Sequence, residues 1–325
     1  MNKVLNTISA IFFIMPMLFV NTTVCAQGYP NKPIKLVVGF APGGGTDVTA
    51  RLLATKMSVN LGQPVVIENR PGAAGTIAAN QVAKSDPDGY RLLMTASGTF
   101  INSVLSATQN YNIETEFTPI SIVTITPLVV LVGSTVPSRS ISELIEFGRS
   151  KPNQLTFGSD GIGSTGHLAG ELFNSLTKLK MLHVPYKGSG EVVTALASGQ
   201  VDVIFPSMPA AMPLLQSGKF RPLAVTSIKR SILSPAIPTL DESGLTGFDL
   251  IGWFALVGPA GMPRAIVDKL NSAIVKLVDD SDFKEAINRQ GMELQPNSPE
   301  IFIKYLRDTG SSISRLGKQS NIKLE

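Results

Sequence analysis

From Ile34 onward the chain repeats one figure: a short unbroken apolar run, a glycine-rich turn, then apolar residues at helical spacing. Residues 34–40 read as a buried strand, and 48–61 as the helix beyond its turn. Residues 65–67 lead through the turn 69–75 to a helix over 76–84, and the strand 91–95 leads to the turn Ala96-Ser97-Gly98-Thr99. A second series begins at Pro127, with strands at 128–132, 155–158, 182–184, 201–205 and 223–226, and helices at 141–150, 167–176 and 191–198. Successive units of this kind predict parallel sheets with helices on both faces. After Thr239 come a strand over 250–257 and helices over 264–278, 281–290 and 299–316, without a further glycine-rich loop. This tail is expected to return to the first unit. The pattern therefore predicts an α/β protein of two lobes, residues 27–126 with 250–325 forming one and 127–249 the other. Chain crossings near Thr126 and Asp249 would make a two-stranded hinge.

The first 26 residues break the figure. Lys3 precedes a mostly apolar stretch over 8–20, and Val24-Cys25-Ala26 places small residues where signal peptidase cuts. The stretch falls short of the ~18–20 residues that span a bilayer, and Pro16 interrupts it. A secretory signal cleaved after Ala26, and a periplasmic mature chain, are expected. Val24 disfavours lipidation at Cys25, because lipobox processing usually prefers a small residue there.

Composition narrows the chemistry. With 325 residues, 43% hydrophobic and 16% charged, the chain can bury substantial cores, so disorder is excluded as its main state. Lys+Arg 28 against Asp+Glu 24, with no basic run, makes nucleic acid an unexpected partner. One cysteine and two histidines, His167 and His183, cannot furnish a Cys/His zinc site, an iron–sulfur cluster or a disulfide framework. No metal and no cofactor are expected.

Two glycine-rich loops remain as candidates for binding. Gly39 to Thr46 has the spacing of a phosphate-binding loop, but Gly45 stands where the phosphate-neutralising lysine belongs. What is left is bare backbone N–H opening a helix, which suits one carboxylate better than a chain of phosphates. The plainer reading is a helix start with Asp47 as N-cap. A branched side chain at Gly44 would obstruct close approach to those N–H groups. In the second loop Gly161, Gly163 and Gly166 fit the dinucleotide fingerprint, yet no acidic residue follows at the ribose-binding distance. We read it as a second anion cradle, in which the Ser159, Ser164 and Thr165 hydroxyls accompany the N–H groups. Ser164 and His167 are three apart, but there is no nucleophile elbow and no placed acid, so catalysis is not expected. His167 reads instead as a first-turn residue bonding locally, and His183 as a packed strand residue.

The ordered strings Gly43-Gly44-Gly45-Thr46-Asp47, Glu68-Asn69-Arg70-Pro71-Gly72-Ala73 and Pro87-Asp88-Gly89-Tyr90 resemble the Bug family. So do His167-Leu168-Ala169-Gly170-Glu171-Leu172-Phe173, His183-Val184-Pro185-Tyr186-Lys187-Gly188 and Gly199-Gln200-Val201-Asp202. These are the periplasmic substrate-binding proteins of tripartite tricarboxylate transporters, and the likeness spans the mature chain. It implies a two-lobed periplasmic binding protein, type II-like, with the ligand in the cleft between the lobes. It also implies a small carboxylate ligand, delivery to membrane permease subunits, and a monomer with no enzymatic activity. The family's carboxylate-holding loops map onto Phe40, Gly43, Gly44, Gly45, Thr46 and Asp47, and onto Ser159, Gly163, Ser164 and Thr165. Gly72, Ala73, Ser97 and Gly98 are expected to select the rest of the ligand, with Ser207 a further candidate. An exported hydrolase of a small acyl substrate and a ligand-dependent partner of a sensor kinase are the alternatives.

Overall fold

The computed structural model describes residues 28–105, 113, 115–218 and 220–319. The expected export segment, residues 1–26, lies outside the described residues. The chain first lays down β1 (Ile34–Val38), α1 (Gly45–Leu61), β2 (Val65–Asn69), α2 (Thr76–Ala83), β3 (Arg91–Ala96), α3 (Ser97–Leu105) and β4 (Phe117–Pro127). A second series follows: β5 (Val129–Val132), α4 (Ile141–Ser150), β6 (Thr156–Ser159), α5 (Thr165–Thr177), β7 (Leu182–Pro185) and α6 (Ser189–Ala197). It ends with β8 (Val203–Ile204), α7 (Met208–Gln216) and β9 (Pro222–Val225). The chain closes with β10 (Ile251–Pro259), α8 (Arg264–Val275), α9 (Ser281–Arg289), β11 (Glu293–Leu294) and α10 (Pro299–Gln319).

Two sheets result, one in the order β11-β4-β10-β3-β1-β2 and the other β7-β6-β8-β5-β9. β10 and β11 belong to the six-stranded sheet. The expected parallel pairing holds for β2, β1 and β3 and for β7, β6 and β8. It fails around β10, which runs antiparallel to both β3 and β4, and around β5, antiparallel to β8 and β9. The reason is directional: the chain leaves the first sheet along β4 and re-enters along β10, so neighbouring crossings run oppositely. Thr226 ties these crossings together. Its N–H donates to the Leu128 carbonyl (3.0 Å), its hydroxyl to the Leu250 carbonyl (2.7 Å), and Leu250 N–H donates back to the Thr226 carbonyl (2.9 Å).

Helices cover both faces of each sheet, as the continuously apolar strands require. On one face of the first sheet, Leu53 and Met57 of α1 pack with Leu270, Ile274, Phe283 and Ile287 of α8 and α9. On the other, Ala78 and Val82 of α2 and Phe100 of α3 pack with Phe302 of α10. Trp253, 1% exposed, lies edge-on to Phe302 (5.7 Å) and Tyr305 (6.3 Å), anchoring α10 on β10. In the second sheet, Leu168 and Phe173 of α5 share a core with Leu144 of α4, and Val192 and Leu196 of α6 meet Met208 and Ala211 of α7 across the sheet's other face.

Four elements carry no clear sequence signal. Pro119 sits inside β4 beside an irregularity in the β10 register, where a proline is tolerated. Pro209 and Pro213 obscure α7. Ser97-Gly98-Thr99 reads as a turn but opens α3, which is held by burial of Phe100 and Ile101. The two-residue strand β11 is too short to show periodicity. One boundary matters for function: α1 begins at Gly45, three residues before its apolar periodicity does, so Gly45 and Thr46 occupy its first turn.

Candidate functional site

The first loop is stiffened from behind. Asp47 is not the N-cap; Gly44 takes that position, and no side chain caps α1. Asp47 lies in the first turn, 2% exposed, and its carboxylate accepts from Gly43 N–H (3.0 Å), Asn69 Nδ2 (2.9 Å), and Arg51 Nε (2.8 Å) and Nη2 (2.9 Å). Burial alone would raise the pKa of this carboxyl, but donation by Arg51, Asn69 and Gly43 overcomes it and holds the pKa below its usual range. Asn69 also donates to the Phe40 carbonyl (3.0 Å), so β2 clamps both ends of the loop. Gly43 adopts φ +89°, a backbone that favours glycine. Gly44 is extended, and a β-carbon there would stand an ordinary 3.4 Å from Ser189 Oγ. The tight position is the next one: a β-carbon on Gly45 would lie 2.5 Å from Phe254 Cζ and 2.8 Å from Ser207 Oγ. Helix geometry, with no capping side chain, leaves the first-turn N–H groups of α1 available to a ligand.

The second loop is closed on itself. Ser164 caps α5, its hydroxyl accepting from His167 N–H (3.2 Å), while Gly163 N–H donates to His167 Nδ1 (3.0 Å). Ser159 Oγ bonds the Gly161 carbonyl (3.0 Å) and His183 Nε2 (2.7 Å). The two histidine rings stack at 3.8 Å, continuing onto Phe157. Burial, aided by the neighbouring His183, lowers His167 to about 3, and burial lowers His183 to about 4; both rings are neutral at pH 7. With its Nδ1 accepting, His167 carries its proton on Nε2, 3.8 Å from Glu171. No Ser164–imidazole relay exists, because the Ser164 hydroxyl faces a backbone N–H.

Across the gap the two halves touch. Ser97 Oγ and Thr165 Oγ1 are hydrogen-bonded at 2.8 Å, and a β-carbon on Gly98 would lie 2.7 Å from Thr165 N. Gly163 abuts Asn102 of α3, and Gly188 and Gly190 before and within α6 face Ala41 and Pro42. Between these contacts lies an enclosed cavity of about 30 Å³. Of the residues expected at the site, Phe40, Gly45, Thr46, Ser97, Gly98, Thr165 and Ser207 line it. Gly43, Gly44 and Asp47 stand one layer back, as do Ser159, Gly163 and Ser164. In the third loop Gly72 turns toward Ile77, and Ala74, not Ala73, comes nearest the second sheet, its N–H and Cα within 3.5 and 3.8 Å of a β-carbon on Gly161.

Sequence reasoning missed Asp160, Ser189, Phe205, Gly252 and Phe254, all of which line the cavity. Asp160 stood inside a loop already singled out and Ser189 follows Gly188 at a helix start, so turn chemistry offered a signal for both. Nothing local marked Phe205, Gly252 or Phe254. The first turns of α1, α3, α5 and α6 and the N-cap of α7 all border this space. A wider groove of about 540 Å³, lined by Lys32, Lys35, Lys84 and Arg91, lies at the opposite ends of β1 and β3. Ligand sites in open α/β sheets form outside the carboxyl ends of strands, which selects the smaller, enclosed space as the candidate.

Two helix-covered α/β sheets, facing each other across a cavity at the carboxyl ends of their parallel strands, define a periplasmic binding protein fold. Residues 49–322 match the tripartite tricarboxylate transporter family receptor model, TctC, and the chain belongs to that family. It is 38% identical over 304 residues to protein BugT of Bordetella pertussis, covering 93% of each chain. Among solved structures it resembles Rpa4515 of R. palustris with adipate at 35% identity, with a TM-score of 0.88 and coverage of 91% of this chain and 99% of that one. MatC of Rhodopseudomonas palustris with bound malate aligns at 33% identity and a TM-score of 0.85, over 89% and 99% of the two chains. The family is one of binding receptors and not of enzymes.

Proposed function

We propose that this receptor captures one small carboxylate between its two sheets and presents it to the membrane permease subunits of a tripartite tricarboxylate transporter. The observation that carries the reading is the convergence of five helix N-termini on one cavity that no basic side chain lines. Such a site attracts an anion through backbone donors and helix dipoles. The carboxylate meets the first turn of α1 at Gly45 and Thr46, with Thr165, Ser97 and Ser207 completing the polar wall. Ser159, Gly163 and Ser164 shape that wall from behind, and Gly98, Phe40 and the Gly72-Ala73 turn bound the rest. Three or four bonds to a charged group, at ~1.5–3 kcal/mol each, approach the ~8 kcal/mol of a micromolar complex only with added burial. Adipate and malate in the related structures are ligands of the same chemical class.

A cavity of about 30 Å³ holds a water or two, not a dicarboxylate, so filling it requires the halves to part. Residues 27–126 with 250–325 move as one lobe and 127–249 as the other, about the crossings tied by Thr226. Residues 1–26 direct export to the periplasm and are removed after Ala26, leaving a monomer. Calorimetry and thermal shift on refolded, ligand-stripped protein, against a panel of carboxylates, test the reading. Saturable binding of one carboxylate per chain, with compaction in small-angle scattering, is the expected result. Failure of every carboxylate beside tight binding of a neutral sugar would overturn it.

A further inference from the structure

Asp160 is the one ionisable side chain among those lining the cavity, and it is an acid where an anion is expected to bind. It sits between the starts of α5 and α6. Ser189 Oγ of α6 donates to its Oδ2 at 3.3 Å, Ser164 before α5 bonds it as well, and a β-carbon on Gly166 would stand 3.3 Å from its Oδ1. Through Ser189 it lies one residue away from Gly44 at the mouth of α1.

Among the described residues no cation answers it. On α1, Asp47 is turned to Gly43, Arg51 and Asn69, and Arg51 is spent on Asp47. On α5, His167 accepts from Gly163 and stacks on His183, with Glu171 beside it. On the chain leading into α6, Lys187 is exposed, and its N–H is bonded by Glu191. Residues at the starts of α3 and α7 that reach the cavity, Ser97, Gly98 and Ser207, do not titrate. Burial pushes the Asp160 carboxyl up, against the hydrogen bonds from Ser164, its own backbone and Ser189.

Asp160 thus faces hydroxyl donors and helix N-termini in the cavity that Gly45 and Thr46 also line. A ligand carboxylate entering the same small enclosure meets a like charge, and two carboxylates so close do not both stay ionised. We propose that Asp160 takes up one proton when a carboxylate binds and donates it as a hydrogen bond to the ligand. The site then holds carboxylates more tightly as pH falls. This rests on the carboxylate reading above. The proton comes from solvent and no covalent bond to carbon changes.

Calorimetry with adipate and with malate, from pH 5 to 9 and in two buffers of different ionisation enthalpy, tests it on wild type and on Asp160→Asn. Wild type is expected to take up close to one proton per ligand at the alkaline end, its Kd rising up to about tenfold per pH unit. Asp160→Asn, which keeps the shape and a donor, is expected to take up none and to bind with an affinity that does not change with pH. Saturable binding by wild type without proton uptake, or the same pH slope in both proteins, overturns the inference and leaves the carboxylate reading standing. Absence of binding by both proteins across the whole panel of carboxylates overturns the two together.

Discussion

The loop before α1 and the loop before α5 carry the same kinds of residue, glycines followed by a hydroxyl at a helix start, yet they are built in opposite ways. In the first, the acid Asp47 binds backward, into Gly43, Asn69 and Arg51, and no side chain caps the helix. Its first-turn donors are left facing the cavity. In the second, Ser164 caps the helix and His167 absorbs the Gly163 N–H, so the loop's donors are spent within it. Only Asp160, Thr165 and Gly166 from that stretch reach the cavity. Equal glycine content does not make equal cradles; what decides is whether a neighbouring side chain satisfies the N–H groups.

The strongest break in this contrast is Gly45→Val. A β-carbon 2.5 Å from Phe254 Cζ and 2.8 Å from Ser207 Oγ should hold the halves apart and weaken carboxylate binding at least about a hundredfold, ~2.7 kcal/mol. Calorimetry on the folded variant that returned an affinity within threefold of wild type would remove the α1 turn from the site. Gly44→Ala, at an extended residue with 3.4 Å of room, is the matched control and should bind nearly as wild type does.

Asp47→Ala tests the brace. Losing the acceptor of Arg51, Asn69 and Gly43 is expected to cost about 1.5–3 kcal/mol of stability and roughly tenfold in affinity. Because the folded carboxyl is held low, its contribution is complete above the unfolded value and disappears as pH falls through the folded one. The variant's melting curve should therefore lose part of the acid-side decline that wild type shows; an unaltered decline would mean the brace carries no weight.

Ser164→Ala separates the loops most directly. Loss of a helix cap predicts about 1 kcal/mol off stability, with affinity changed by less than threefold. A tenfold loss of affinity would put this hydroxyl on the ligand and make the two loops equivalent after all.

The last test concerns the stacked rings, whose weight is felt only in acid. Unfolded histidines bind protons near pH 6.5, whereas His167 and His183 resist until about 3 and 4. Between those limits the unfolded chain holds more protons, so the melting temperature should fall as pH drops from 6.5 toward 4. His183→Gln should flatten that slope, and a slope identical to wild type would show that the pair does not govern it.

Much of the site was legible because helix starts are local. The glycines at 43–45 and 161–166, Ser97-Gly98 and Ser207 announce turns or caps within a few residues, and of these Gly45, Gly166, Ser97, Gly98 and Ser207 line the cavity. Which of them face inward was not legible, since Asp47 and Ser164 are aimed by partners at Arg51, Asn69 and His167 that a linear pattern cannot rank. Phe254 and Gly252 reach the cavity only because β10 returns antiparallel between β3 and β4. That return depends on a pairing more than a hundred residues away in sequence from both partners.

By itself the sequence determined the alternation of apolar runs and helical spacing, hence two helix-covered α/β sheets, and the glycine-rich helix starts that such sheets use for anions. These follow from short-range periodicity and backbone sterics, which are properties of neighbouring residues. Tertiary structure alone decided the direction of β10, the stacking of His167 on His183, the commitment of Asp47 and Ser164, and the arrival of Asp160 beside Ser189 in an enclosed space. Those outcomes depend on which distant side chain satisfies which donor once the two sheets meet, and only the folded chain's long-range contacts specify that choice.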